Sequence, residues 1–316
     1  MRYFLSVLIG LIFLGCQQSP KSETLTLGTY RGVFKAQDDN DMPFIFEVTS
    51  DSTLSIFNAG ETVKVEDITY RNDSVFIQMP VFESFIAAKL KDNMLKGNFI
   101  TPSLKRSLPF EAQRDSVRFT VKNKPEFDIS GNWETVFSPH EAENSYIAKG
   151  IFSQSGSQIV GTFRTTTGDY RFLDGVVDGD QLKLSTFDGS HAFLFTGKIT
   201  KDSIHGMFYS GNHWKEPFTA WRNGTFELPD ADSLTFLKPG YKTIDFTFLD
   251  ADGNEVSLSD ARFENKVVLV QIMGTWCPNC LDESRFLADF YTENKSRDIE
   301  IVALSFEYAK TEEAVQ

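Results

Sequence analysis

The sequence predicts a multidomain protein: an all-β region, built as a duplicated antiparallel meander of barrel-like length, followed by an incomplete α/β domain. Three observations predict it. Short stretches of alternating apolar and polar residues run from Gly28 to about Arg222, and period-two patterning marks half-buried strands. Segments of that region occur twice in the same order. After a proline- and glycine-bearing stretch, Asn223 to Lys242, the pattern changes to continuous apolar runs around one amphipathic helix, the pattern of a sheet covered by helices.

The β region is read strand by strand. In "DSVFIQM" Val75, Ile77 and Met79 share a face; in "DQLKLST" Leu182 and Leu184 oppose Lys183 and Ser185; in "DSIHGMF" Ile204, Gly206 and Phe208 oppose His205 and Met207. Turn signals such as "VDGDQ", "FDGSH" and "KDN" separate the runs. "GTYRGVF" at Gly28 parallels "GNWETVF" at Gly131, "MLKGNF" at Met94 parallels "SIHGMF" at Ser203, and "PFEAQR" at Pro109 parallels "PFTAWR" at Pro217, at offsets of 103, 109 and 108 residues. Order and spacing are kept, as an internal duplication requires. Each copy has room for about eight strands, enough to close a small barrel. Whether each closes alone or the two form one sandwich is left open. Such a barrel could hold a small ligand, and the G-x-W opening at Gly131 resembles that of small lipid-binding barrels; otherwise the Phe side chains fill the interior. His191, His205 and His213 are placed on separate strands without cysteine, a poor metal-ligand set.

Composition limits the function classes. The 316 residues are 41% hydrophobic and 24% charged, enough for a sizeable core, and 30 Phe with only 3 Cys suit β structure better than a disulfide scaffold. A formal charge of -13 with no basic stripe excludes nucleic-acid binding. One cysteine belongs to the N-terminus. Arg2 precedes an apolar run from Tyr3 to Leu14, which as a helix spans about 18 Å, too short for a bilayer core of roughly 30 Å. It reads as a secretory leader. Its end, "FLGC", resembles the lipobox of bacterial lipoproteins, with Phe13 in place of the usual Leu; Cys16 would be the lipidated residue and membrane anchor. An uncleaved helix with a buried Cys16 is the other reading. Export would place the rest where disulfide chemistry is permitted.

The C-terminal segment opens with "IDFTFLDADGNEVSL", an extended pair around the Asp252–Gly253 turn, then "LSDARFENK", a helical or turn segment. "KVVLVQIM" reads as a strand buried on both faces, "LDESRFLADFYTENKS" as a helix with Leu281, Phe286, Leu287 and Phe290 on one side, and "IEIVALSFE" as a second buried strand. Between the first strand and the helix lies "GTWCPNC". Pro278 suits the first helical turn, so Cys277 falls at the helix N-terminus. Unpaired amides and the helix dipole there favour a thiolate. Cys280, one turn on, can attack a mixed disulfide formed at Cys277, and would be the more buried, resolving thiol. A zinc site would need two more ligands, and an inert disulfide across so short a loop would stabilise little.

The stretch "LSDARFENKVVLVQIMGTWCPNCLDESRFL" resembles the TlpA/ResA family of membrane-tethered, thioredoxin-like disulfide reductases. The resemblance covers about a quarter of the chain. It implies that Cys277 and Cys280 are the active-site dithiol, that Trp276 shields it with Pro278 in support, and that no diffusible cofactor or metal is needed. It also implies protein disulfides outside the cytoplasm as substrates and a thioredoxin-like membrane protein as electron donor. Two departures stand out. Gln271 occupies the position of the acid six residues before the first Cys, leaving Asp282 and Glu283 as nearby candidates for a proton acceptor; both read as solvated helix-face charges. The family fold also needs a further helix, a cis-Pro loop, two strands and a last helix, yet only 36 residues follow Cys280 and Pro278 is the last proline. The sequence is therefore expected to be a truncated form of a longer oxidoreductase, its "KTEEAVQ" end the start of a cut helix; a natural protein with a degenerate domain is the other reading.

The expected organisation is a leader over 1–16, a tether over 17–27, β modules over 28–120 and 121–222, a linker over 223–238 and the thioredoxin-like segment over 239–316. The expected activity is extracytoplasmic thiol–disulfide exchange. The alternatives are a ligand-binding barrel lipoprotein with a vestigial redox domain, and a peroxiredoxin-like peroxidase. Peroxidases of that kind usually carry Thr three residues before the reactive cysteine, where this chain has Gly274.

Overall fold

The computed structural model describes residues 23–307. The expected leader, Cys16 and most of the tether lie outside the described residues, as does the helix start expected at 310–316.

Nine strands make the first module: β1 (Gly28–Lys35), β2 (Asp41–Val48), β3 (Leu54–Asn58), β4 (Glu61–Val65), β5 (Asp67–Arg71), β6 (Ser74–Gln78), β7 (Phe85–Lys91), β8 (Met94–Thr101) and β9 (Arg106–Arg114). They form one antiparallel sheet in the order β4-β3-β2-β1-β9-β8-β7-β6-β5. It wraps around through the β1–β9 pairing but stays open between β4 and β5, which follow one another in the chain without pairing. The second module has β10 (Gly131–Phe137), β11 (Tyr146–Ser155), β12 (Gln158–Thr165), β13 (Leu173–Asp178), β14 (Gln181–Phe187), β15 (Ala192–Ile199), β16 (Ser203–Ser210) and β17 (Trp214–Arg222). The pairing of β10 with β17 closes these eight strands into a barrel.

The duplication extends to register. Phe34 of β1 stands opposite Phe110 of β9, which stands opposite Gly97 of β8. Phe137, Phe218 and Gly206 repeat this arrangement in the barrel. Both glycines are required by contact: a Cβ on Gly97 would lie 2.0 Å from the Ala87 carbonyl oxygen, and one on Gly206 would lie 2.3 Å from that of Thr196 and 2.4 Å from the Phe218 ring. Tyr30 Oη donates to Thr26 O at 3.1 Å, and Trp133 Nε1 donates to Ile129 O at 2.9 Å. Each ring lies beneath an arginine from the last strand, Arg114 at 5.6 Å and Arg222 at 4.6 Å. These arginines donate to Leu27 O and Ser130 O, tying the end of each module to its beginning.

Aromatic rings fill the barrel. Trp133, Phe137, Phe163, Phe195 and Phe218 are fully buried, with Phe163 and Phe195 centroids 4.9 Å apart. Each such ring contributes about 1.5–3 kcal/mol by burial alone. Along β14 the expected alternation breaks, because Ser185 is buried as completely as Leu182 and Leu184. Both faces of β14 are covered: one faces the barrel interior, the other lies against the first module. There Ser185 Oγ donates to Pro43 O, Arg118 reaches Ser185 O and Asp174, and the Asn58 side chain pairs with both backbone groups of Phe187. Phe187 itself joins the core of the first module beside Phe34, Phe44 and Phe99.

The C-terminal segment begins with a hairpin, β18 (Thr247–Leu249) and β19 (Glu255–Ser257), turned at Gly253 with φ +80°. Asp250 Oδ1 accepts from the amides of Asp252 and Asn254 across that turn. A parallel pair follows, β20 (Val267–Met273) and β21 (Ile299–Ser305), connected through α1 (Pro278–Glu293); parallel neighbours require such a crossover. The expectation that both strands are buried on two faces is not met. Ile272 is 73% exposed and Val267 62%, and Phe286 on α1 is 67% exposed. Among the described residues this sheet has two strands and one helix, too little to cover both faces.

Candidate active site

The local sequence builds the site. Pro278 opens α1, whose 16 residues span about 24 Å, and Cys277 is its N-cap in extended conformation. Leu281 N donates to Cys277 O at 3.1 Å, and Cys280 N donates to Cys277 Sγ at 3.1 Å. One orphan amide of the first turn, that of Cys280, thus points at that sulfur, the arrangement that favours a thiolate when the pair is reduced. In the structure the two sulfurs are joined, with Cα atoms 5.2 Å apart. Both cysteines are half-buried, so burial does not separate their roles as expected; position does. Cys277 lines a cavity of about 1430 Å³, and Cys280 is not among its lining residues.

Trp276 fixes the approach to the pair. Its Nε1 donates to Phe306 O at 3.0 Å, and its carbonyl accepts from Ser190 Oγ at 3.1 Å. Gly274 is needed for this packing, since a Cβ there would lie 2.4 Å from Trp276 Nε1 and 2.9 Å from Phe306 O. Gln271, in the position of the expected acid, is buried; its Nε2 donates to Glu283 Oε2 at 2.9 Å and its Oε1 accepts from Ser284 Oγ at 3.1 Å. Glu283 therefore turns toward the base of the helix. Asp282 binds Arg171 of the barrel at 2.6 Å. Neither is the purely solvated charge the sequence suggests.

The dithiol does not stand free of the β modules. Asn279, between the cysteines, donates from Nδ2 to Asp169 O at 3.1 Å and accepts at Oδ1 from Arg171 at 3.1 Å. Leu281 packs against the core shared by the two modules. The cavity at Cys277 is walled by Phe82 and Phe99 from the first module, Tyr170, Phe193 and Phe208 from the second, and Leu281 and Leu287 from α1.

The histidines are dispersed. Only His205 lies on a strand, β16; His191 and His213 occupy turns and line the cavity. Among the described residues no three His, Cys, Asp or Glu side chains gather as metal ligands would. Burial, with Arg106 and His191 nearby, pushes His213 down to about 4, so it is neutral at pH 7. Burial pushes the Asp188 carboxyl up, but His191 and the amides of Ser190 and His191 outweigh it and hold the group below the usual carboxylate range. A second polar cluster, Tyr146, Tyr170, Ser138 and Glu216, lies at the rim of the barrel, with Ser138 Oγ donating to Glu216 at 2.6 Å and Tyr146 Oη at 2.8 Å.

Strand, Cys-Pro-Asn-Cys helix and parallel strand together define a thioredoxin-like redox segment, and comparison with known proteins specifies it further. A model of the AhpC/TSA family matches residues 239–316. Three curated relatives are thiol-disulfide oxidoreductases ResA. That of Bacillus thuringiensis subsp. konkukian is 31% identical over 68 residues, 22% of this chain and 38% of that protein. That of Bacillus subtilis is 33% identical over 69 residues, 22% and 37%. That of Oceanobacillus iheyensis is 38% identical over 58 residues, 18% and 29%. The C-terminal segment is similar to the TlpA/ResA-like thioredoxin-fold proteins, and the chain spans well under half the length of the curated relatives it matches.

Sequence reasoning missed Arg171, Asp169 and Asn279 as neighbours of one another, and Ser190 as a partner of Trp276. "TTGDYRF" announces a turn, but no local signal ties Arg171 to Asp282, 111 residues later.

Proposed function

We propose that this protein is an exported thiol–disulfide oxidoreductase acting as a disulfide reductase on protein substrates outside the cytoplasm. The observation that carries the reading is Cys277 Sγ at the N-cap of α1, facing a cavity while Cys280 N points at it. Reduced Cys277, as thiolate, attacks one sulfur of a substrate disulfide and expels the other as thiolate, giving a mixed disulfide. Cys280 then attacks Cys277 Sγ, releasing the second substrate thiol and forming the Cys277–Cys280 bond present in the structure. Two electrons from a thioredoxin-like membrane donor would return the pair to the dithiol. No diffusible cofactor takes part, because the sulfurs are the redox group. Export by the leader and anchorage through a lipidated Cys16 complete the proposal.

Two features weigh against the alternatives. A Thr at position 274, as a peroxidase would carry, would drive its Cβ into Trp276 and the Phe306 carbonyl. In the β modules, aromatic side chains occupy the barrel interior that a ligand would need.

The test is insulin reduction by the purified protein with a dithiol reductant. Cys277→Ser should abolish it, and Cys280→Ser should accumulate the mixed disulfide with substrate. Full activity in Cys277→Ser would end the proposal, and rapid peroxide consumption in its place would favour the peroxidase.

A further inference from the structure

Arg171 follows β12 on the loop into β13, and its backbone adopts φ +63°, a conformation that residues other than Gly rarely take. Such a residue persists where the surroundings hold it, and such positions cluster at functional sites. The side chain is 9% exposed and meets three carboxylates from three parts of the fold. Nη2 binds Glu61 at the start of β4 in the first module. Nε lies 3.8 Å from Asp188 Oδ2 in the β14–β15 turn, and neither atom has a hydrogen-bond partner. Nη1 binds Asp282 at 2.6 Å and Asn279 Oδ1 at 3.1 Å, both in α1. Gly168 on the same loop lets Asn279 approach, since a Cβ there would lie 2.9 Å from Asn279 Nδ2. Asn279, the second of the two residues between the cysteines, is thereby held from both ends of its amide by one barrel loop.

We infer that Arg171 is a positioning residue for the Cys277–Cys280 pair, through which the β modules hold the first turn of α1 and set how readily Cys277 ionises. This deepens the exchange reading and rests on it. A guanidinium beside the first helical turn offsets the carboxylates grouped there, and a cation near a thiol favours its thiolate. The charged and titratable groups around the turn are Glu61 from β4, Asp188 with His191 from the β14–β15 turn, and Asp282 with Arg285 and Glu283 on α1. Glu307, which binds Thr275, completes the set. Without Arg171, Glu61 loses its cation, and Asp188 and Asp282 keep only His191 at 3.5 Å and Arg285 at 3.7 Å. A more stable thiolate also stabilises the reduced pair, so ionisation and redox poise move together.

The experiment follows alkylation of reduced Cys277 by iodoacetamide against pH, and the equilibrium of the pair with glutathione, in the full chain. Arg171→Gln should move the alkylation midpoint up by about one pH unit. It should also shift the glutathione equilibrium about tenfold toward the disulfide, roughly 30 mV for a two-electron couple. Arg171→Lys, which keeps the charge without the fork, should recover part of both. Glu61→Gln, on a strand of the first module, frees the guanidinium toward α1 and should move the midpoint down; it serves if Arg171→Gln does not fold. Midpoints and potentials unchanged in the folded variants, with Cys277 of the parent titrating below the ordinary thiol range, would overturn the inference and leave exchange chemistry standing. An ordinary thiol titration in the parent would remove both.

Discussion

The ring of Phe187 meets that of Phe34 edge-on, centroids 4.8 Å apart, although Phe187 ends β14 of the closed barrel and Phe34 belongs to β1 of the open module. Asn58 clamps the Phe187 backbone by accepting from its N at 3.1 Å and donating to its O at 2.8 Å. An outward-facing residue of one module thus completes the core of the other.

Phe187→Ala should therefore cost about 3–5 kcal/mol, as expected for a truncated buried aromatic ring. The loss should fall on the coupling between modules as well as on their total stability. Calorimetry should show one β transition in the parent and two in the variant. A single transition of unchanged midpoint would refute the shared core.

Gly206→Ala should destabilise the barrel by about 1–3 kcal/mol, because the added methyl meets the Thr196 carbonyl and the Phe218 ring. Gly224→Ala is the control. Its Cβ would meet nothing within 4 Å and its φ is not positive, so urea unfolding should leave it within about 0.5 kcal/mol of the parent.

Asp188 gives a dependence on acid. Its carboxyl is held below the ordinary 3.8 in the folded protein, so its contribution is complete above that value and is lost as pH falls through the lower, folded one. Asp188→Asn should cost about 1–3 kcal/mol at pH 7. Between pH 7 and pH 3 the parent should lose more stability than the variant. Parallel losses would show that Asp188 carries no such linkage.

Gln271→Glu would place a buried carboxylate against that of Glu283, whose Oε2 lies 2.9 Å from the Gln271 amide. Two carboxylates in contact do not both ionise readily, so one should hold a proton well above the usual range. The variant should be destabilised as pH rises through that raised value. Resolution of a mixed disulfide by Cys280 should also acquire a pH dependence that the parent lacks. Stopped-flow release of substrate thiol measures it; identical pH profiles would show that the carboxylate does not reach Cys280.

The strand faces of Val75, Ile77 and Met79 and of Ile204 and Phe208 were legible because alternation is a local property. So were the duplicated segments, and the helix beginning at Pro278 with Cys277 as its cap. The strand faces and the helix cap follow from residues within one or two turns of one another, and the duplication from comparing short segments about a hundred residues apart. The exceptions have long-range causes. Ser185 looks like a solvent position until β14 is laid against the first module. The apolar run at Ile272 looks like a core strand, but among the described residues too little packs on it.

By itself the sequence determined two copies of a Phe-rich meander and a Cys-x-x-Cys pair at the start of a helix, because period, spacing and proline placement act through neighbours in the chain. Tertiary structure alone decided that one copy closes and the other stays open with Phe187 in its core. It alone decided that Gln271 turns to Glu283 and that Arg171 grips Asn279 and Asp282. The Phe187 and Arg171 outcomes depend on volumes and charges brought together across more than a hundred residues, and even Gln271 meets Glu283 only once α1 packs on β20; no local pattern encodes which side chain will be there to meet them.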